Sequence, residues 1–594
     1  MGEFVGIDPS AAEQLMRQMT VGKDVLGRTR PGLEAAIAES GASWTGPPGV
    51  AAMHRSWAFL DNTQRDLKWR MDTLKQMVPN SGIGLLSGYL TFDNEAEAAR
   101  QGKADAAPIA AALKQHDVQN SAKSWRDVTA AVAATKEKLN DPAYAASLLA
   151  ALGPDRFRAL FRHWMKDKGP AAMDMGLPPS VIQQGREDLG PIAEAYANAE
   201  RAGRLGEVWR EKFMEGTDPG MLTALVAMSK PSSTLLNQVA RRVLGRPLTA
   251  DAPSSPNWNL NALVEAYDAD PQALQTLLAE SKDAASSLLH PGRWRSTRLP
   301  DFEKRLAGVL DKALGPGAGV DHIRERAWFN IVNGVGADGT PWLGGQWIQN
   351  ALVLPKFKDS PVSQVLAKNV VPYLDNFARA QAKESSPLLT SLYPPPPWDK
   401  LNADVASRFL GAVMQDKAAA DTLLKAWHEY TTSMDIGQFH PFDSDAKMRA
   451  GFVLRSALSG GAANLLLEGS THAEWSDDEY ADWLAGVILM PVDWLSNKYW
   501  PIDNPSTATA RDRGQDDAKD ALKEMITNYF DGKTPGTAET VAVKIVDRQV
   551  RWVTDSLAQH RQKPLTETDQ DMIDKAFRGR LFDALVDALK TRGG

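Results

Sequence analysis

The sequence predicts an all-α fold: an N-terminal antiparallel helical hairpin followed by multi-helix body regions, with little or no β-sheet. Three observations carry this expectation. Ala, Leu, Lys, Arg, Glu and Gln, which give up little on entering a helix, fill most segments. Few runs alternate at period two with β-branched residues. Helix punctuation recurs along the whole chain.

The starts are written as Asp-Pro, at Asp8-Pro9, Asp141-Pro142, Asp218-Pro219 and Asp270-Pro271. There the carboxylate accepts from first-turn N–H groups, and proline needs no donor at the first helical position. Leu-Gly-Pro recurs at Leu152-Gly153-Pro154, Leu189-Gly190-Pro191 and Leu314-Gly315-Pro316. In each, glycine is expected to take a left-handed cap after one helix and proline to open the next. The spacing is irregular, so these runs separate helices without marking a solenoid period.

The first arm of the hairpin is read from Leu15, Met19, Gly22, Leu26, Thr29, Leu33 and Ala36, which alternate at spacings of four and three. Pro31 is expected to kink it. The second arm carries Met53, Trp57, Leu60, Gln64, Leu67, Met71, Leu74 and Val78 at the same spacing, with only Gln64 polar. Each arm is roughly 30 residues, so roughly 45 Å long. Ser43 to Pro47, around Trp44 and Gly46, connects them. Two helices alone bury one face of each, so a partner or the rest of the chain must cover the other.

Two heptad-patterned arms around Trp44-Thr45-Gly46, followed by Tyr89-Leu90-Thr91-Phe92-Asp93 beyond the second arm, resemble the WXG100 superfamily of type VII (ESX) secretion substrates. A second Trp-x-Gly, Trp342-Leu343-Gly344, lacks this setting. The resemblance covers about the first 95 residues. It implies a bipartite recognition signal, with Trp44, Gly46, Tyr89 and Asp93 read by the secretion machinery's ATPase. It also implies a small helical-hairpin partner protein and secretion by a non-Sec route. The run Asn140 to Phe161 is loosely similar to the helical bodies of actinobacterial proteins with such heads.

Beyond residue 95, prolines suggest boundaries at Asp251 to Asn257 and at Tyr393 to Trp398, the latter an extended spacer. The expected regions are 1–95, 96–250, 251–393 and 398–594.

A formal net charge of -7 with dispersed Lys and Arg gives no footprint for nucleic acid. The chain has no cysteine, which excludes disulfides, thiolate zinc sites and a cysteine nucleophile. The N-terminus lacks the basic and apolar regions of a Sec-type signal, and the apolar runs at 451–467 and 484–495 are interrupted by Arg455, Pro491 and Asp493. Membrane insertion is not expected.

Patterns that could support catalysis are weak. His428-Glu429 with His440 is the nearest approach to a metal or acid–base site, and His472 has no partner at diagnostic spacing. Gly334 to Gly339 fits Gly-x-Gly-x-x-Gly, but a helical pattern precedes it where a phosphate loop needs a strand, so it reads as a loop between helices. In Glu474 to Leu484, Ser476 and Glu479 form a capping box, Trp475 and Tyr480 a hydrophobic staple, and Asp477 and Asp478 favour the helix dipole. Trp494, Trp500 and Trp552 read as core. No cofactor or metal is expected.

The sequence therefore favours an interaction or carrier protein over an enzyme. Two alternatives stay open: an effector toxin whose active site in the C-terminal third matches no motif, and a helical scaffold that stays in the cytoplasm.

Overall fold

The computed structural model describes residues 3–40, 47–77, 85–167, 179–244, 258–289, 301–337, 346–348, 351–353, 360–385, 394–433, 463, 466, 467, 475–499, 505–561, 566, 567, 570, 571, 574 and 580–593. Helices dominate them. Two short antiparallel ladders are the strand structure among these residues.

Each Asp-Pro pair opens a helix. Asp8 accepts from the Ser10 and Ala11 N–H groups at 2.9 and 3.2 Å, and Asp141 from Ala143 and Tyr144 at 2.9 and 3.0 Å. Asp218 accepts from Gly220 at 2.7 Å and Asp270 from Ala273 at 3.1 Å. The Leu-Gly-Pro runs correct the expectation of three left-handed caps. Gly153 has φ 79° but ψ 156°, outside the left-handed helical region, Gly315 closes its helix in extended backbone at φ -64°, and Gly190 is the first residue of a helix. At that junction Leu189 N–H donates to Gly185 while its own carbonyl receives Ala193 N–H. One residue serves both helices, so no reversing turn is needed.

The chain divides into two compact units, Met1–Val243 with Pro256–Ala269, and Leu244–Ser255 with Asp270–Gly594. In the first, β1 (Glu3–Ile7) leads into α1 (Pro9–Ser40), and α2 (Pro47–Met77) leads into β2 (Leu86–Leu90). β1 and β2 pair antiparallel from Glu3↔Leu90 to Ile7↔Leu86, so the two chain ends of the hairpin are tied together at its root.

The hairpin continues into α3 (Glu95–Gln119), α4 (Ala122–Ala133), α5 (Pro142–Leu152) and α6 (Pro154–Asp167). A Cβ on Gly102 of α3 would lie 2.3 Å from the Tyr144 carbonyl oxygen of α5. Only a residue without a side chain lets these backbones approach so closely. Phe157 centres an aromatic core, with Phe161, Tyr196, Trp209 and Phe213 at centroid distances of 5.1 to 5.6 Å.

In the second unit the prolines before Trp398 deliver that indole into a core. Trp398 is fully buried among Phe329, Tyr373 and Phe377, and its Nε1–H donates to Glu325 at 3.1 Å. Residues before and after the proline run thus share one cluster; Tyr393 and the 251–257 run lie outside the described residues. Gly334 and Gly336 correct the reading of a glycine loop, because both sit inside helix Asp321–Ala337. Side chains there would meet the Lys282 and Val405 carbonyl oxygens at 2.9 and 2.1 Å, so the glycines serve close helix crossings.

The capping box at the head of helix Asp477–Tyr499 forms as expected: Ser476 N–H donates to Glu479 Oε2 at 2.9 Å, and Glu479 N–H to Ser476 Oγ at 3.3 Å. Arg592 adds an ion pair to Asp477 at 3.2 Å and lies 4.6 Å from the Tyr480 ring centroid. Among the described residues, no helix is long and apolar enough to cross a membrane.

Candidate functional site

The antiparallel hairpin is fixed by pairs along its length. Glu13 meets Lys75 at 3.3 Å, and Lys23 meets Asp61 at 2.5 Å. The bond from the Lys23 ammonium, with Arg65 beside it, holds the Asp61 carboxyl below the usual carboxylate range, against desolvation. Gln64, the polar break in the second stripe, donates to Thr20 Oγ1 at 2.8 Å and to the Met16 carbonyl at 3.2 Å, and accepts from Lys23 at 3.1 Å. A polar group satisfied across a helix seam fixes register. α1 runs on through Pro31 to Ser40.

Burial along this seam is uneven. Met71 and Leu74 are buried, Leu60 and Leu67 half-buried, and Trp57 is 40% exposed; on α1, Met19 is buried while Leu15, Thr29 and Ala36 are exposed. The seam expected from spacing is therefore closed only in part, because two helices bury one sector of each.

That root is held by residues distant in sequence. Trp69 is fully buried and donates from Nε1 to Asp141 Oδ2 at 2.8 Å, the carboxylate that also caps α5. Burial pushes the Asp141 carboxyl above its ordinary pKa, and the bonds from Tyr144, Trp69 and Ala143 oppose the rise. Arg201 donates to Gln76 Oε1 at 2.7 and 3.0 Å. Arg204 pairs with Glu95 and lies 3.9 Å from Asp72.

Tyr89 is presented outward by neighbours that point inward. On β2, Leu86 and Leu90 are buried and Tyr89 is 68% exposed. Just beyond, Phe92 is buried with its ring stacked 5.5 Å from Tyr144. Asp93 is exposed one residue before the α3 cap; its N–H donates to Glu97 Oε2 at 3.2 Å, while Asn94 accepts from Glu97 N–H at 2.9 Å. Phe4, the cross-strand neighbour of Tyr89, is 61% exposed and meets its ring edge-on at 5.2 Å.

Of twelve large apolar residues exposed among the described residues, eight lie between Phe4 and Tyr89. They include Val21 and Val25 of α1, Trp57 and Phe59 of α2, and Leu85 beside the ladder. The hairpin and its ladder therefore carry most of the exposed large apolar side chains among the described residues.

Trp44 and Gly46 lie outside the described residues, so Tyr89 and Asp93 are the described members of the expected signal. The sequence reading missed Trp69, which falls off the heptad stripe, and Phe4. A signal existed for Phe4: Phe4/Gly6 and Val5/Ile7 fall on opposite faces of a strand, although five residues make a faint alternation.

Of the catalytic candidates, His428 and Glu429 fall among the described residues. His428 lines a cleft of about 400 Å³ that also contains Asp421, Asp482 and Asp516. Asp421 is paired with Lys417, and Asp482 with Lys519. No cluster of three or more metal-ligating side chains occurs among the described residues. His440, His472 and the side chains of Trp494, Trp500 and Trp552 lie outside them. Comparison of the chain with protein-family models, curated proteins and solved structures finds no match.

Proposed function

We propose that the protein is a substrate or carrier of a type VII (ESX-like) secretion route and acts through protein–protein recognition at its N-terminal hairpin. The gathering of exposed apolar residues on the hairpin and its ladder supports this reading most. A small helical-hairpin partner covers the open faces of α1 and α2, completing the burial that two helices leave unfinished. The secretion ATPase then reads Trp44 and Gly46 at the turn with Tyr89 and Asp93 beyond the second arm. Tyr89 suits this role because it is exposed while its neighbours Leu86, Leu90 and Phe92 fix its position. An aromatic anchor ordered before binding loses little freedom on docking.

The test is export of the full chain from its own host, wild type beside Trp44→Ala and Tyr89→Ala, with cellular level and melting temperature checked for each. Export of the wild type and a drop of roughly tenfold or more in each variant is the expected outcome. Equal export of all three, or export of none, contradicts the proposal.

A further inference from the structure

The cleft that His428 lines is built from three helices of the second unit, Lys417–Ser433, Asp477–Tyr499 and Pro505–Phe530. Its apolar lining is Leu424, Trp483, Gly486 and Leu489. A Cβ on Gly486 would lie 3.2 Å from Leu424 Cδ2, so the glycine keeps the first two helices in close contact beside the cleft.

The charges around this lining fall into two groups. Asp421 and Asp482 are neutralised by Lys417 and Lys519, and Asp482 also has Lys523 at 4.0 Å. Lys425 and Asp516 are different. Each lines the cleft from a different helix, and neither makes an ion pair or hydrogen bond among the described residues. They stand farther apart than the 4.0 Å of an ion pair. One cleft therefore carries an apolar lining, with an ammonium and a carboxylate that are unpaired among the described residues, in a volume of about 400 Å³. That size is within the range of small-molecule sites, where a few polar groups orient a ligand against apolar walls.

We propose that this cleft binds a zwitterion of amino-acid type with an apolar side chain. Its carboxylate is received by Lys425, its ammonium by Asp516, and its side chain rests on Leu424, Trp483 and Leu489. A ligand with one charge satisfies only one of the two residues. A ligand with both charges and no apolar side chain leaves the lining uncovered.

The test is isothermal titration calorimetry on the full chain with L-leucine, L-phenylalanine and the dipeptide Leu-Leu, beside phenylacetate, phenethylamine and glycine. Saturable binding of at least one apolar zwitterion is expected, with each single-charge analogue and glycine weaker by roughly tenfold or more. Lys425→Met and Asp516→Asn, both at exposed positions, are each expected to lower that affinity by a similar factor with the melting temperature unchanged, and Lys425→Arg to restore most of it. Absence of saturable binding for every zwitterion up to about 10 mM overturns the proposal. So does binding of the single-charge analogues as tightly as the zwitterion, or full affinity in both charge-removing variants.

Discussion

Asp141 shows how one side chain ties three levels of this fold together. It caps α5, receives the indole N–H of Trp69 and so fastens the hairpin root to the body. Asp141→Asn keeps an oxygen for the cap but turns an amide donor toward the Trp69 donor, an unsatisfied buried contact worth about 1–3 kcal/mol. The pH dependence follows from linkage. Because burial raises the folded-state pKa, the titration of Asp141 contributes stability below the unfolded value, and this is lost as pH rises through the raised value. The deficit of Asp141→Asn relative to wild type is therefore expected to be largest near the acid end and to shrink toward neutrality. Melting temperatures of both proteins across that range check it, and a deficit growing with pH contradicts it. The cap was legible in the sequence because Asp-Pro acts within one turn. The indole it also holds was not, since Trp69 lies far away in sequence and off the stripe that spacing identifies.

The same division between local and distant causes holds for the helices and strands. Both hairpin arms could be read because heptad spacing repeats over many turns, and Gln64, the polar break of the second arm, is a register pin. The β1–β2 ladder escaped notice because its strands of five residues are separated in sequence by the whole hairpin. Gly334 and Gly336 suggest a loop from spacing alone because a helix crossing leaves no local signature, and Gly102 serves another such crossing. Within α3, Gly102→Ala improves helix propensity by about 1 kcal/mol, yet the new Cβ would sit 2.3 Å from the Tyr144 carbonyl oxygen. Overpacking against backbone costs about 1–3 kcal/mol, so a net loss of stability is expected. Urea unfolding with an unchanged or higher midpoint would show that α3 and α5 separate at little cost.

For the whole molecule, composition and punctuation sufficed for the all-α class, because helix preference is summed over hundreds of residues. The division of the chain into two units was not legible in the same way. The first unit takes in Pro256–Ala269 after leaving out the preceding run, and Trp398 packs from beyond a proline stretch onto Phe329 and Phe377 before it. Only packing reveals such choices. The candidate site divides likewise: Tyr89 and Asp93 were legible as a spaced pair, while the inward-facing Leu90 and Phe92 and the neighbouring Phe4 depend on strand pairing and on Tyr144. The central claim, that this hairpin is read by a secretion ATPase, is tested most directly by the affinity of the purified full chain for the secretion ATPase of its host. Saturable binding, weakened roughly tenfold or more in Tyr89→Ala with an unchanged melting temperature, is the predicted result; no binding, or equal affinity for both proteins, would contradict it.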